Sequence, residues 1–392
     1  MQISDPNRQP ANNFALFALA FRPFFLLAGL AAVFLIAYWL LAFSQGWNSL
    51  QTMPAIYWHS HEMIFGYSAA VIAGFLLTAV RNWTGVQTLT GQPLVLLAAL
   101  WLAPRILFFT DIELFWLALI DLAFLPLLAL AIACPVMRAR QWNNLFFAGL
   151  ILLFALAHGL FYAQFLLGLE NGEEWGIHSG LGVVIVIITV MSGRVVGFFI
   201  ERGLNKKIQN YRWANQLAIW GSAGFMAGQF ILADAMLAAI ALLAASGHLA
   251  RLLGWYHHDI WKQPLLWVLY LGYFWLFAGF VLSALVINKI LFESLAIHAF
   301  TVGAVGMMTL GMMARVALGH TGREMKSHRL TNAAFVLLNI AVFVRVVLPM
   351  LVPEMSLTWV QLAGVLWLAG FIMFCLIYTP VLLRARVDGQ PG

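Results

Sequence analysis

The chain has 392 residues, of which 63% are apolar and only 9% charged, and its mean hydropathy is +0.90. So little polar surface excludes a water-soluble domain and marks an integral membrane protein. The net charge of +6 lies in the loops, as membrane topology requires, and does not point to nucleic-acid binding.

Residues 1–22 read as a cytoplasmic and interfacial segment, with a helix from Asn12 to Phe21 entering the first span at Arg22-Pro23-Phe24. No small-residue cleavage site of a signal peptide is visible there. Twelve apolar stretches then follow at 23–44, 55–80, 92–110, 113–134, 142–168, 174–200, 212–232, 234–254, 264–287, 294–317, 330–351 and 357–383. Each is close to the ~20 residues that cross a bilayer as helix, and none alternates polar and apolar residues as a barrel strand does. The loops are short, so residues 1–392 form one polytopic all-α domain.

Basic residues fall in alternate loops: Arg81, then Arg138 with Arg140, the cluster Arg202, Lys206, Lys207 and Arg212, then Arg251 with Lys262, then Arg323, Lys326 and Arg329, and last Arg384 with Arg386. The opposite loops carry Asp111, Glu113, Glu170, Glu173, Glu174, Asp234, Glu293 and Glu354. Lys and Arg are retained on the cytoplasmic side, so both termini are expected there.

With that orientation, spans 2, 6 and 10 run inward from the outer face and place His59, His61, His178 and His298 in the outer part of the membrane. His158, in span 5, joins them. His61, His178 and His298 are separated by 117 and 120 residues, which suggests three copies of one unit. A polar side chain inside a bilayer is costly unless it is bonded, paired or coordinated, and neutral imidazole is a common ligand of copper, zinc and haem iron. An offset of 237 residues also brings His61 onto His298, Gly66 onto Gly303, Gly74 onto Gly311, Thr84 onto Thr321 and Gly85 onto Gly322. Glycines so placed admit a flat cofactor or a neighbouring helix; plain helix packing is the bland reading. In His59-Ser60-His61 the imidazoles sit two residues apart, about 200° around a regular helix. They therefore serve two centres on two faces, unless His59 lies in the preceding loop and turns back.

Other residues at membrane depth have two readings each. Arg345 and Arg105 are candidate partners of an anionic cofactor group; the bland alternatives are snorkelling for Arg345 and a salt bridge to Asp111 or Glu113 for Arg105. Glu62 is a candidate to orient an imidazole from behind, to shuttle protons, or to cap span 2. Met307, Met308, Met312 and Met313 offer soft sulfur to Cu(I), but thioethers at helical spacing are more often core filling. Cys134 and Cys375 stand alone and form neither a disulfide framework nor a Cys-x-x-Cys motif.

Two blocks carry a family resemblance. Trp58-His59-Ser60-His61-Glu62-Met63-Ile64-Phe65-Gly66-Tyr67, followed by Ala73 to Ala79 and Asn82-Trp83-Thr84-Gly85, resembles the signature of NnrS proteins. So does His298 with Gly303, Gly306-Met307-Met308, Met312-Met313-Ala314-Arg315 and Gly319-His320-Thr321-Gly322-Arg323, and Arg22-Pro23-Phe24 also fits. The resemblance implies a protein of the bacterial inner membrane that contains haem, of b type, and copper, and protects against nitric oxide in denitrification and nitrosative stress. It supplies no settled reaction. On this view the histidines hold a haem and a copper or second haem. NO reaches them through the lipid, and an external quinol or periplasmic cytochrome supplies electrons. By analogy of layout alone, twelve helices in three groups of four, with histidines on helices 2, 6 and 10, resemble haem-copper oxidases. Those enzymes carry adjacent histidines on helix 7 and a His-x-His on helix 10, whereas here span 7 has none and the His-x-His is on span 2. A proton- or metal-coupled carrier and a non-catalytic NO or haem sensor are the rival expectations.

Overall fold

The computed structural model describes residues 14–46 and 53–390. Across them run twelve long helices: α1 (Phe21–Gln45), α2 (Ala55–Thr84), α3 (Gly91–Leu107), α4 (Leu114–Arg138), α5 (Leu145–Leu167), α6 (Gly172–Leu204), α7 (Arg212–Gly228), α8 (Asp234–Trp255), α9 (Pro264–Ile287), α10 (Glu293–His320), α11 (Arg329–Val346) and α12 (Ser356–Leu383). Each predicted span coincides with one of them. Ten are long and apolar enough to cross a membrane. The other two, α3 and α7, have 17 residues each, at the short end of the roughly 17–25 that a spanning helix uses. The chain is an all-α, multi-pass membrane protein.

Helices that follow one another in sequence pack side by side, except that α3 reaches α2 chiefly through Trp101 and Arg105, and α12 returns to α1. Inside this ring α2, α6 and α10 touch one another. Their burial matches that position, with 83% of the most apolar window buried in α2 and 78% in α10, against 28% in peripheral α12. Three groups of four result, each with one central helix: α3–α5 lead from α2 to α6, α7–α9 lead from α6 to α10, and α11, α12 and α1 lead back to α2. Small residues let neighbours approach closely. A side chain at Gly247 of α8 would meet the Ala218 backbone nitrogen of α7 at 2.5 Å.

The repeat relating α2 to α10 extends to backbone geometry. Glu62–Ser68 and Ala299–Gly306 are both π-helical, each beginning directly after the matched histidine. Both helices end alike. Thr84 donates its hydroxyl to Val80 O at 2.7 Å and Thr321 to Ala317 O at 2.6 Å, and Gly85 and Gly322 follow at φ +69° and +72°, the left-handed conformation that glycine adopts at a helix end. Five of the six matched glycines face neighbouring side chains, Gly74 against Phe25 and Gly303 against Trp275 among them, so helix packing accounts for those two positions.

The N-terminal segment differs from expectation. Asn12 and Asn13 lie outside the described residues, and residues 14–20 form turns instead of a helix. Phe14 pairs with Arg384, and Ala15 donates its amide to Leu383 O at 2.8 Å. Arg22 is buried inside the bundle and donates to Leu382 O at 2.9 Å and Arg384 O at 2.6 Å. It satisfies carbonyls that the last turn of α12 leaves open, which an interfacial helix would not do.

Candidate functional site

The five histidines expected at the outer level divide between two places. His59 and His61 leave α2 on different faces, as a spacing of two residues dictates. His59 stacks on Trp39 of α1, with ring centroids 4.4 Å apart, and lines a cavity with His178 and His298. His61 turns towards α4 and α5 and is fully buried.

The cavity, about 350 Å³, opens among α1, α2, α6, α10, α11 and α12. That size is at the lower end of the ~300–1,000 Å³ usual for small-molecule and cofactor sites. Its walls are mostly apolar, interrupted by the three imidazoles, Tyr67, Thr301 and Arg345. His298 donates Nδ1–H to Ser294 O at 2.6 Å, which fixes the tautomer and leaves Nε2 as a lone-pair donor. His178 repeats that contact with Glu174 O at 2.8 Å, but its Nε2 lies 3.0 Å from Glu293 Oε1. His59 has a buried Nδ1 without a hydrogen-bond partner. Arg345 faces the cavity with no acidic partner among the described residues. Free imidazole nitrogens, a guanidinium without an acidic partner among the described residues and an apolar chamber suit a haem with its anionic propionates.

The second place is a sealed cluster. His61 Nδ1 donates to Glu62 Oε1 at 3.0 Å, and His61 Nε2 lies 2.8 Å from His158 Nε2. Asp121 Oδ2 stands 3.3 Å from the first Nε2 and 3.4 Å from the second. Arg105 donates to Asp121 Oδ1 at 2.7 Å and to Glu62 Oε2 at 3.0 Å, and Tyr162 donates to Asp121 Oδ2 at 2.9 Å. The π turn makes room for this network. Gly66 sits where a side chain would strike Glu62 Oε2 at 2.8 Å, and its carbonyl accepts from Trp101 Nε1 at 3.0 Å.

Arg105, expected as a possible partner of a cofactor anion, is turned away from the cavity and committed to Glu62 and Asp121. Its acidic partners are therefore not Asp111 or Glu113. Glu62 stands behind His61, the orienting position weighed for it. Met307, Met308, Met312 and Met313 are buried and absent from the cavity wall. Asp121 and Tyr162 were missed by the sequence reading. The available signal was Asp121 itself, a single carboxylate inside an apolar span, which is costly without a partner.

Two further polar groups differ in kind. His248 is held between Ser222 at 2.9 Å and Tyr273 at 2.7 Å, with Arg251 donating to Tyr273 at 2.9 Å; every ring nitrogen is satisfied and no carboxylate is present. His257, His258 and Asp259 cluster in the loop after α8. There Lys206 at 2.8 Å and Lys262 at 2.7 Å claim Asp259 and hold its carboxyl well below the usual range.

Fold and site together define a polytopic helical membrane protein with a histidine-walled cavity and, beside it, a buried histidine–carboxylate cluster. The profile of the NnrS protein family matches residues 15–386, nearly the whole chain, and the chain belongs to that family. Membership assigns it a role in the nitric oxide response at the family level. No relative matches it among curated proteins.

Proposed function

We propose that this protein binds nitric oxide at a haem held in the histidine cavity, on the outer side of the bacterial cytoplasmic membrane, and so protects the cell from nitrosative stress. The observation that carries this reading is the convergence on one apolar chamber of His59, His178 and His298 with Arg345, which has no acidic partner among the described residues. His298 and His59 are the best-placed ligands, because each has an unengaged ring nitrogen. His178 becomes available only on releasing Glu293. Arg345 holds a propionate, and the apolar walls exclude water while admitting a small neutral gas from the lipid. When bound, ferrous haem supplies an iron with high affinity for NO. An external quinol or cytochrome supplies the electrons if NO is turned over.

The test is an optical spectrum of the full chain purified in detergent, oxidised, reduced and NO-treated. Wild type is expected to show a b-type haem whose ferrous spectrum shifts with NO, and His298→Ala and His59→Ala to lose it. A colourless wild-type protein from haem-replete cells would overturn the reading.

A further inference from the structure

The sealed cluster of α2–α5 poses a charge problem that the cavity does not. Glu62, Asp121, Arg105, His61, His158 and Tyr162 are all buried, none more than 6% exposed. Two carboxylates face one guanidinium, so with neutral imidazoles the cluster carries one uncompensated negative charge inside the membrane. An isolated buried charge is strongly disfavoured. Among the described residues no second cation approaches it.

The directions of the lone pairs say where the missing cation sits. His61 gives its Nδ1 proton to Glu62, so its Nε2 presents a lone pair to the centre of the cluster. His158 Nε2 and Asp121 Oδ2 point to the same spot, and the three atoms form a triangle with edges of 2.8, 3.3 and 3.4 Å. Donors about 2.0–2.1 Å from a shared ion make a triangle of this size. The surroundings are those of metal ligands, whose far atoms are usually hydrogen-bonded. Glu62 holds the far side of His61 and Arg105 and Tyr162 hold Asp121; His158 is held by stacking on Phe65, with centroids 4.4 Å apart, while its buried Nδ1 has no hydrogen-bond partner among the described residues. The His248 cluster has none of this, since its lone pairs are all used and it lacks a carboxylate.

We infer that His61 Nε2, His158 Nε2 and Asp121 Oδ2 bind one first-row transition-metal ion, in a site separate from the haem cavity. Two imidazoles and a carboxylate suit copper, zinc or ferrous iron, with copper favoured by intrinsic affinity. The histidine cavity does not include these ligands, so the ion neutralises the cluster and ties α2, α4 and α5 together without receiving substrate. The rival occupant is a proton, which would make His61 an imidazolium between Glu62 and Asp121.

The site stands independently of the proposed haem, and the experiment keeps the two apart. The full chain is purified in detergent and its copper, zinc and iron are quantified by mass spectrometry beside its haem. About one non-haem metal ion per chain is expected in wild type and in His298→Ala, falling at least tenfold in His158→Ala and Asp121→Asn. X-ray absorption at the metal edge of wild type, which needs no variant to fold, is expected to show only nitrogen and oxygen neighbours with imidazole scattering. Wild type lacking non-haem metal would overturn the inference in favour of the proton, and sulfur neighbours or an undiminished metal content in folded His158→Ala would overturn it in favour of another site.

Discussion

Arg105 and Arg345 are both arginines at membrane depth, and their surroundings assign them opposite energetics. Arg105 pairs with two buried carboxylates through a forked set of donors. Arg105→Ala leaves Glu62 and Asp121 buried without their guanidinium, and is expected to lower stability by about 3–5 kcal/mol, the usual cost of breaking a buried pair. Arg105→Lys should recover little, because one ammonium cannot reproduce the planar fork. Arg345 has no such partner, so Arg345→Met is expected to leave the melting temperature of haem-free protein unchanged or raised, while weakening haem retention. Unfolding of the three variants in one detergent checks this; an Arg105→Ala protein that melts like wild type would mean the carboxylates are not ionised. The residue identities alone could not separate these arginines. Arg105 and Asp121 are 16 positions apart on different helices, and their pairing exists only once α3 packs on α4.

At the scale of elements, the twelve helices were legible because apolar length is a direct physical requirement of the bilayer, and the divergence of His59 and His61 was legible because helical rotation per residue is fixed. The π turns were not. In helices apolar on nearly every face, an extra residue in one turn disturbs no visible pattern, whereas in an amphipathic helix it would shift the polar stripe. Yet these turns set the site, since each residue of register rotates everything beyond it by about 100°, and π segments commonly accompany functional positions. Deleting Met63 should therefore tighten Glu62–Ser68 towards α-helix and swing His59 from the cavity and His61 from the sealed cluster together. The expected result is a folded, membrane-inserted protein lacking both haem and non-haem metal. A deletion variant with both intact would show that the local backbone absorbs the change without moving the histidines.

For the whole molecule, sidedness decides which compartment the cavity serves. The loops joining α6 to α7, α8 to α9 and α10 to α11 carry Lys206, Lys207, Lys262, Arg323 and Lys326, whereas among the described loops at the histidine end Lys289 is the one basic residue. Retention of Lys and Arg on the cytoplasmic side would then put His59, His178 and His298 on the outer side. The two native thiols, Cys134 and Cys375, can be replaced by serine to give a background for single-cysteine labelling. Glu354→Cys, in the exposed turn before α12, is expected to react with a membrane-impermeant maleimide in intact spheroplasts. Lys207→Cys, exposed after α6, should react only once the membrane is opened. The reverse pattern would place the cavity on the cytoplasmic side, and an electron donor and NO supply would have to be sought there. Because α2, α6 and α10 all enter from the same end with their histidines near it, a single inverted label would move the entire site, and no partial rearrangement of the ring could rescue an outer-side function.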